Sequence, residues 1–439
     1  MAINRSPQVF QRADGVHDLH LFRDNPGALR DGLSRRRMLE SSGALVEHAI
    51  ALDTERRAII LRVEEIKARR NILTQAVAQC KRVGKDTDSL VVEGRALGDE
   101  IDVLKTHLTS TEEELSGVVL QIPNIPLSDV PAGGEENNVV VRSWGTPRSG
   151  EGVIPHWDIG AKLGLFDLER GAKISGSGFI VYRGAGARLV RALMNLMLDT
   201  HTRDHGYEET WVPAVVNRAS MIGTAQFPKF EDEQYGLRDE ELFLIPTAEV
   251  PLTNLYRDEI IPESDLPRML TAYSPCFRRE AGAHGKDTRG LLRVHQFDKV
   301  ELVRYAHPDC SLDEHEMITA HAERILQLLE LPYRVLLLAA GDTGFASAKT
   351  YDLEAFAPGV GKWLEVSSSS NFTDFQGRRA NIRYRPRDGG KPRFVHTLNA
   401  SALAFPRIIA AILEQHQNAD GTVRVPTALE PYFGASVIK

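Results

Sequence analysis

Cysteine is scarce in this 439-residue chain: Cys80, Cys276 and Cys310 are the only three. They are too few and too scattered for a disulfide framework or a cysteine-rich zinc site. A reducing cytoplasm is therefore the expected compartment, and zinc is not an expected cofactor. Long apolar runs are missing as well. No stretch approaches the roughly 18 uninterrupted apolar residues needed to cross a bilayer, and residues 1–8 lack the apolar segment of a secretion signal. A Walker-type Gly-Lys-Ser/Thr sequence is absent, and Gly176-Ser177-Gly178 lacks the third glycine and the following acidic residue of a dinucleotide fingerprint. Any phosphate must then be gripped by arginines. Net positive charge is lacking too. A balance of −7 argues against indiscriminate polyanion binding, so a local basic cluster carries more information than it would in a basic chain.

Enough apolar residue is present, 42% of the chain, for two to three domains with a substantial core. Leu45, Leu52, Ile59, Ile66 and Leu73 recur every seven residues, and Ala49, Val63 and Val77 occupy the second row of the seam. That is coiled-coil patterning. After a polar break over residues 81–89 it resumes with Leu90, Leu97 and Leu104, joined by Ile101, Leu108 and Leu115. The spacing predicts two helices folded back through a turn containing Gly84, an antiparallel hairpin whose first helix spans on the order of 50 Å. Residues 17–125 are assigned to this arm, and residues 1–16 precede it as an extension without an assigned role.

Arg56 and Arg70 fall on seam positions where an apolar residue is expected. With Arg57, Arg62, Lys67 and Arg69, and then Lys81, Arg82 and Lys85, they face only Glu64 and Glu65 over the same stretch. Such a stripe on a projecting rod suits the phosphate backbone of an RNA; the plainer alternative is a solvated helix face. Residues 126–155, rich in proline, glycine and polar residues, are read as a linker, and residues 156–439 as a compact domain.

Within that domain, Leu189, Leu193, Leu196 and Met197 have the spacing of an amphipathic helix, which feeds an extended run ending at Pro213. Thr247 and Glu249, flanking Ala248, are two residues apart. In an extended segment they would face one side and hold an ammonium and a hydroxyl of one small ligand; a turn with a capping threonine and a solvated glutamate is the alternative. Residues 271–301 read as two antiparallel strands joined by a polar loop loosened by Gly282, Gly285 and Gly290. They collect Arg278, Glu280, Phe297 and Glu301 around one cleft. A guanidinium at 278 can grip phosphate and carboxylate oxygens together, a ring at 297 can stack a base, and Glu301 can accept from a buried hydroxyl. Lys286, Asp287 and Arg289 on the loop are placed to follow an arriving ligand, and His295 is read as structural. Glu365 with Ser368 makes an oxygen-rich pair suited to Mg²⁺ once phosphates complete the shell, against the alternative of a serine-rich turn. Pro406 fits a first helical turn, and Arg407 is then aimed from a helix start where anions are favoured.

Taken together these residues resemble the class II aminoacyl-tRNA synthetases, and within them the seryl-tRNA synthetases, over roughly residues 17–434. The resemblance implies an α+β fold: an antiparallel helical coiled-coil hairpin plus an antiparallel β-sheet catalytic domain flanked by helices. It also implies a cytoplasmic homodimer formed through the helix and strand ending at Pro213. ATP and L-serine are the implied substrates, Mg²⁺ the implied cation, and tRNA(Ser), with tRNA(Sec) a further candidate, the implied partner gripped by Arg56, Arg57, Arg62, Lys67, Arg69 and Arg70.

By the same resemblance Thr247, Ala248, Glu249, Arg278, Glu301 and Ser401 bind serine. Arg278, Arg279, Glu280, Val294, Phe297, Glu365, Val366, Ser367, Ser368 and Arg407 bind ATP, with Glu365 and Ser368 holding the metal and Arg278 and Arg407 acting on the phosphates. The chain departs from the pattern at Leu364, where a basic residue is usual, at Ser369, usually cysteine, and at Ala400 and Ala402, commonly glycine. The departure at Leu364 keeps a paralogue tuned to a serine analogue in play, whereas a relative that charges a carrier protein or antibiotic scaffold would be expected to dispense with the arm, which is complete here. An RNA-binding protein that only retains the fold would be expected to have lost some of Arg278, Glu280, Glu365 and Arg407. Threonyl and prolyl relatives are disfavoured because only about thirty residues follow Arg407.

Overall fold

The structure, a computed structural model, describes residues 16–280 and 289–439. Residues 1–15 and the loop positions Gly282, Gly285, Lys286 and Asp287 lie outside the described residues. The chain divides into two compact units, one running to residue 123 without residues 35–37, the other comprising 35–37 and 124–439.

In the first unit the heptad pattern becomes two long helices, α1 (Leu39–Arg82) and α2 (Asp88–Val119). The turn between them passes through Gly84 at φ +66°, the left-handed conformation that lets a helix end on glycine. Ile66, Leu97 and Ile101 form a buried cluster flanked by Leu73 and Leu104, so the predicted seam closes where predicted.

The basic stripe is less bare than α1 alone implied, because α2 returns with carboxylates. Arg56, on its seam position, donates to Glu112 at 2.9 Å, and Arg62 pairs with Glu100 at 2.8 Å. Arg69 pairs with Glu93, Lys67 with Glu64 at 2.9 Å, and Arg57 with the buried Asp53 at 3.2 Å. Among the described residues Arg70 and the tip residues Lys81, Arg82 and Lys85 have no carboxylate within ion-pair distance, and all four are exposed.

The second unit is built on an eight-stranded sheet of β1 (Val139–Trp144), β2 (Glu208–Glu209), β3 (Arg268–Phe277), β4 (Gln296–Ala306), β5 (Tyr333–Leu337), β6 (Lys349–Ala357), β7 (Lys362–Asn371) and β8 (His396–Ala404). Their spatial order is β1-β5-β6-β7-β8-β4-β3-β2, antiparallel throughout except for the short parallel pair β2 with β3. The stretch read as a linker therefore contributes an edge strand, since β1 pairs with β5 from Val139 opposite Leu337 to Trp144 opposite Tyr333. Sequence missed it because its valines, exposed on the sheet margin, show no alternation.

Helices α3 (Ala185–Arg203), α5 (Ser311–Leu328) and α7 (Phe405–Gln415) share the main core with the sheet through residues such as Leu193, Ile325, Ile408, Val300 and Leu302. Shaving a side chain like Ile408 to alanine should cost about 2–5 kcal/mol. Strand alternation decides the rest. Val300 and Leu302 face the helical layer, so Phe297, Lys299 and Glu301 are sent to the opposite face.

Candidate active site

On that opposite face lies a cleft of about 660 Å³ walled by β4, β7, β8, the residues just beyond the end of β3, and the loops around Phe230 and Phe345. The predicted hairpin holds in register: Thr271 is opposite Leu302 and Cys276 opposite Phe297. Thr247 and Glu249 are not in an extended segment, however. Glu249 opens the short helix α4 (Glu249–Asn254), with Pro251 inside its first turn, where a missing N–H is harmless. The Glu249 amide then donates to Thr247 Oγ1 at 3.2 Å.

One end of the cleft is a buried polar nest. Gln376, from helix α6 (Phe375–Arg379), donates to Glu249 Oε1 at 2.7 Å. Asn399 Nδ2 bridges Glu249 Oε2 at 3.1 Å and Glu301 Oε1 at 2.9 Å. Lys299 Nζ pairs with Glu301 and donates to Thr247 Oγ1 at 2.8 Å. Burial, and after it the neighbouring Glu301 charge, pushes the Glu249 carboxyl up to about 7. Glu301 has no exposed surface and sits behind Lys299 and Asn399, which line the cleft; Ala248 is packed in the adjoining core. Ser401 is on the wall, its carbonyl accepting from Ser367 Oγ at 2.6 Å.

The other end is cationic. Arg278 lies over the Phe297 ring at 5.2 Å, on a strand end fastened by reciprocal contacts with His295: Arg278 N donates to the His295 carbonyl at 2.9 Å, and His295 Nδ1 meets the Arg278 carbonyl at 3.0 Å. That backbone role agrees with a structural His295. Arg407, in the first turn of α7, donates through Nε to Leu292 O at 3.1 Å and through Nη1 to the Glu365 carbonyl at 2.7 Å. Glu280, at φ +51°, pairs with Arg293, and Val294 lines the same wall. Arg279 is the expected nucleotide residue that is not on the wall; its guanidinium donates to the Asp232 carbonyl at 3.0 Å.

Glu365 and Ser368 are three residues apart on one strand and by simple alternation would face opposite sides. A register shift brings them together: Glu365 is opposite Glu354 but Ser367 is opposite Leu353, so Val366 is a bulge. Glu365, Val366, Ser367 and Ser368 all line the cleft. Opposite Ser368 stands Asp352, whose carboxyl is driven well above the usual range by burial and then by the Glu365 charge. Among the described residues no set of three or more His, Cys, Asp or Glu side chains is disposed to hold a metal unaided. Glu365 and Ser368 suit a hard cation that arrives with phosphate oxygens.

Sequence reasoning missed Lys299, Asn399 and Gln376. The first two had a signal, since each stands two residues from an expected serine ligand on the same strand and shares its face.

An antiparallel sheet bearing an arginine at each side of a nucleotide-sized cleft is the core of a class II aminoacyl-tRNA synthetase, and residues 229–416 match the family model "tRNA synthetase class II core domain (G, H, P, S and T)". Residues 16–126 match "Seryl-tRNA synthetase N-terminal domain". The chain belongs to the seryl-tRNA synthetase family. It is 63% identical over 424 residues to the serine--tRNA ligase of Gemmatimonas aurantiaca, covering 96% of this chain and all of that one. The seryl-tRNA synthetase from Pyrococcus horikoshii complexed with ATP superposes with a TM-score of 0.92 at 39% identity, over 96% of this chain and 99% of that one. The cytoplasmic serine-tRNA ligase from Naegleria fowleri in complex with AMP gives 0.87 at 30% identity, over 97% and 99% of the two chains.

Proposed function

We propose that this chain activates L-serine with ATP to seryl-adenylate and transfers the seryl group to the 3′ end of tRNA(Ser). The observation that carries the reading is one cleft joining the buried Glu249–Glu301 nest to Arg278 and Arg407. Serine's ammonium goes to Glu249 and Thr247, its hydroxyl to the Glu301 side with Ser401 closing the pocket. Its carboxylate lies toward Arg278.

A carboxylate oxygen attacks the α-phosphorus of ATP in line, the bond to the β-phosphate oxygen breaks, and pyrophosphate leaves. Arg278 holds the α-phosphate and the carboxylate together, while Arg407, braced by Leu292 and Glu365, takes the γ-phosphate. Phe297 stacks adenine, with Glu280 and Val294 beside it. Mg²⁺ held by Glu365 and Ser368 would neutralise phosphate charge when bound. In the second step a terminal hydroxyl of tRNA attacks the adenylate carbonyl and AMP leaves. No side chain is needed as nucleophile; alignment and fixed charge supply the rate.

The arm meets the RNA backbone, and the unpaired Arg70, Lys81, Arg82 and Lys85 support placing that contact toward its tip. We further read the chain as a cytoplasmic homodimer. Support for the dimer is Trp211, 76% exposed beside Val212, Pro213, Tyr273 and Pro275. No helix among the described residues is long and apolar enough to cross a membrane. Amino-acid-dependent ATP–pyrophosphate exchange across all twenty amino acids tests the reading. Serine alone should support it, and exchange with a different amino acid, or with none, would overturn it.

A further inference from the structure

The closed end of the cleft holds two carboxylates, Glu249 on its wall and Glu301 behind it, whereas serine brings a single ammonium. Asn399 bridges both, so that shared contact does not tell them apart. Lys299 does. Its ammonium is almost wholly buried and pairs with Glu301, leaving Glu249 to neutral amide donors from Gln376 and Asn399. The same Nζ donates to Thr247 Oγ1, which accepts from the Glu249 amide. One cation is thus tied to both halves of the pocket, and it stands on the cleft wall while Glu301 does not.

We propose that Lys299 is the specificity-determining positioning residue of the amino-acid pocket. By neutralising Glu301 it reserves that carboxylate for a hydroxyl and leaves Glu249 as the seat for the ammonium. This rests on the serine-activating reading above. Removing Lys299 leaves Glu301 as a second anion competing for the ammonium, so substrates are held in two registers and the hydroxyl is no longer read. Buried anions without a counter-ion also adopt protons or cations readily, which further blurs the choice.

The test is steady-state ATP–pyrophosphate exchange with serine and with alanine in the parent, Lys299→Met, Glu301→Gln and the double variant, each first checked for a native circular dichroism spectrum. The parent's serine-dependent exchange reports on the activity itself, so its absence would sink the function and not the lysine's role. With that exchange present, Lys299→Met should raise the serine KM at least about tenfold and cut the serine-to-alanine preference by a similar factor, with the ATP KM within about threefold of the parent. In the Glu301→Gln background, adding Lys299→Met should change the preference by less than about threefold, because the lysine acts through that carboxylate. The double variant replaces a buried pair by neutral groups and remains the measurable comparison if Lys299→Met does not fold. An unchanged preference in Lys299→Met, a matched rise in serine and ATP KM, or a further tenfold loss in the double variant relative to Glu301→Gln would each overturn the proposal.

Discussion

Serine affinity should follow the ionisation of Glu249. The ammonium of the substrate needs a carboxylate opposite it, and in the ligand-free pocket this carboxyl titrates near 7 rather than at its ordinary 4.5. At pH 6 about one molecule in eleven is ionised, and at pH 7.5 about three in four. Apparent serine affinity should then improve about eightfold across that interval and level off above it. The groups facing Glu249 are Glu301, Gln376, Asn399, Lys299 and Arg278. Of these Glu301 is the one that raises it, so Glu301→Gln should move the midpoint below 7, while burial, the larger cause, keeps it above 4.5. Calorimetric titration of serine into the ligand-free protein from pH 5.5 to 7.5 measures this, with ATP titrations as the control expected to lack the same midpoint. A flat serine profile, or a midpoint near 4.5 in the parent, would refute the assignment of Glu249 as the ammonium seat.

The same carboxyl bears on stability. A folded-state value raised from 4.5 to about 7 means that stability present below 4.5 is lost as the pH climbs through 7. Glu249→Gln should therefore be more stable than the parent by up to about 3 kcal/mol at pH 8 and nearly equal to it at pH 4, by urea denaturation of the ligand-free chain. Arg278→Ala should lower serine-dependent pyrophosphate exchange by at least about a thousandfold with the fold intact, since it removes a charge placed on the reacting phosphate; near-normal exchange would count heavily against the site. Reversing Lys81, Arg82 and Lys85 to glutamate should raise the tRNA KM in aminoacylation about tenfold or more while leaving exchange untouched, and reduce the salt slope of tRNA binding. Unchanged charging would remove the arm tip from the RNA contact. Trp211→Glu should shift sedimentation from dimer to monomer, and a parent already monomeric would end the dimer reading.

What was legible in the sequence followed from periodicity and from residues whose chemistry is unusual for their surroundings. The hairpin arm could be read from seven-residue spacing, and the strand–loop–strand from Arg278 and Glu301 set in apolar alternation. What was not legible depends on partners distant in the chain. The basic stripe looked bare because its carboxylates, Glu93, Glu100 and Glu112, lie on the returning helix. Glu249 opens a six-residue helix with Pro251 in its first turn, and only the location of that turn shows the proline to be tolerated there. Glu365 and Ser368 share a face only through the bulge at Val366, which depends on pairing with Leu353 and Glu354. Gln376 comes from a five-residue helix whose position only the tertiary structure decides.

A crystal structure of the protein with a non-hydrolysable seryl-adenylate mimic tests the placement of serine and ATP in this cleft most directly. The seryl ammonium should lie against Glu249 and Thr247, the hydroxyl on the Glu301 side, the phosphate mimic on Arg278 and adenine on Phe297. Density for the mimic in another part of the molecule, or in this cleft with Arg278 turned away from it, would rule that placement out.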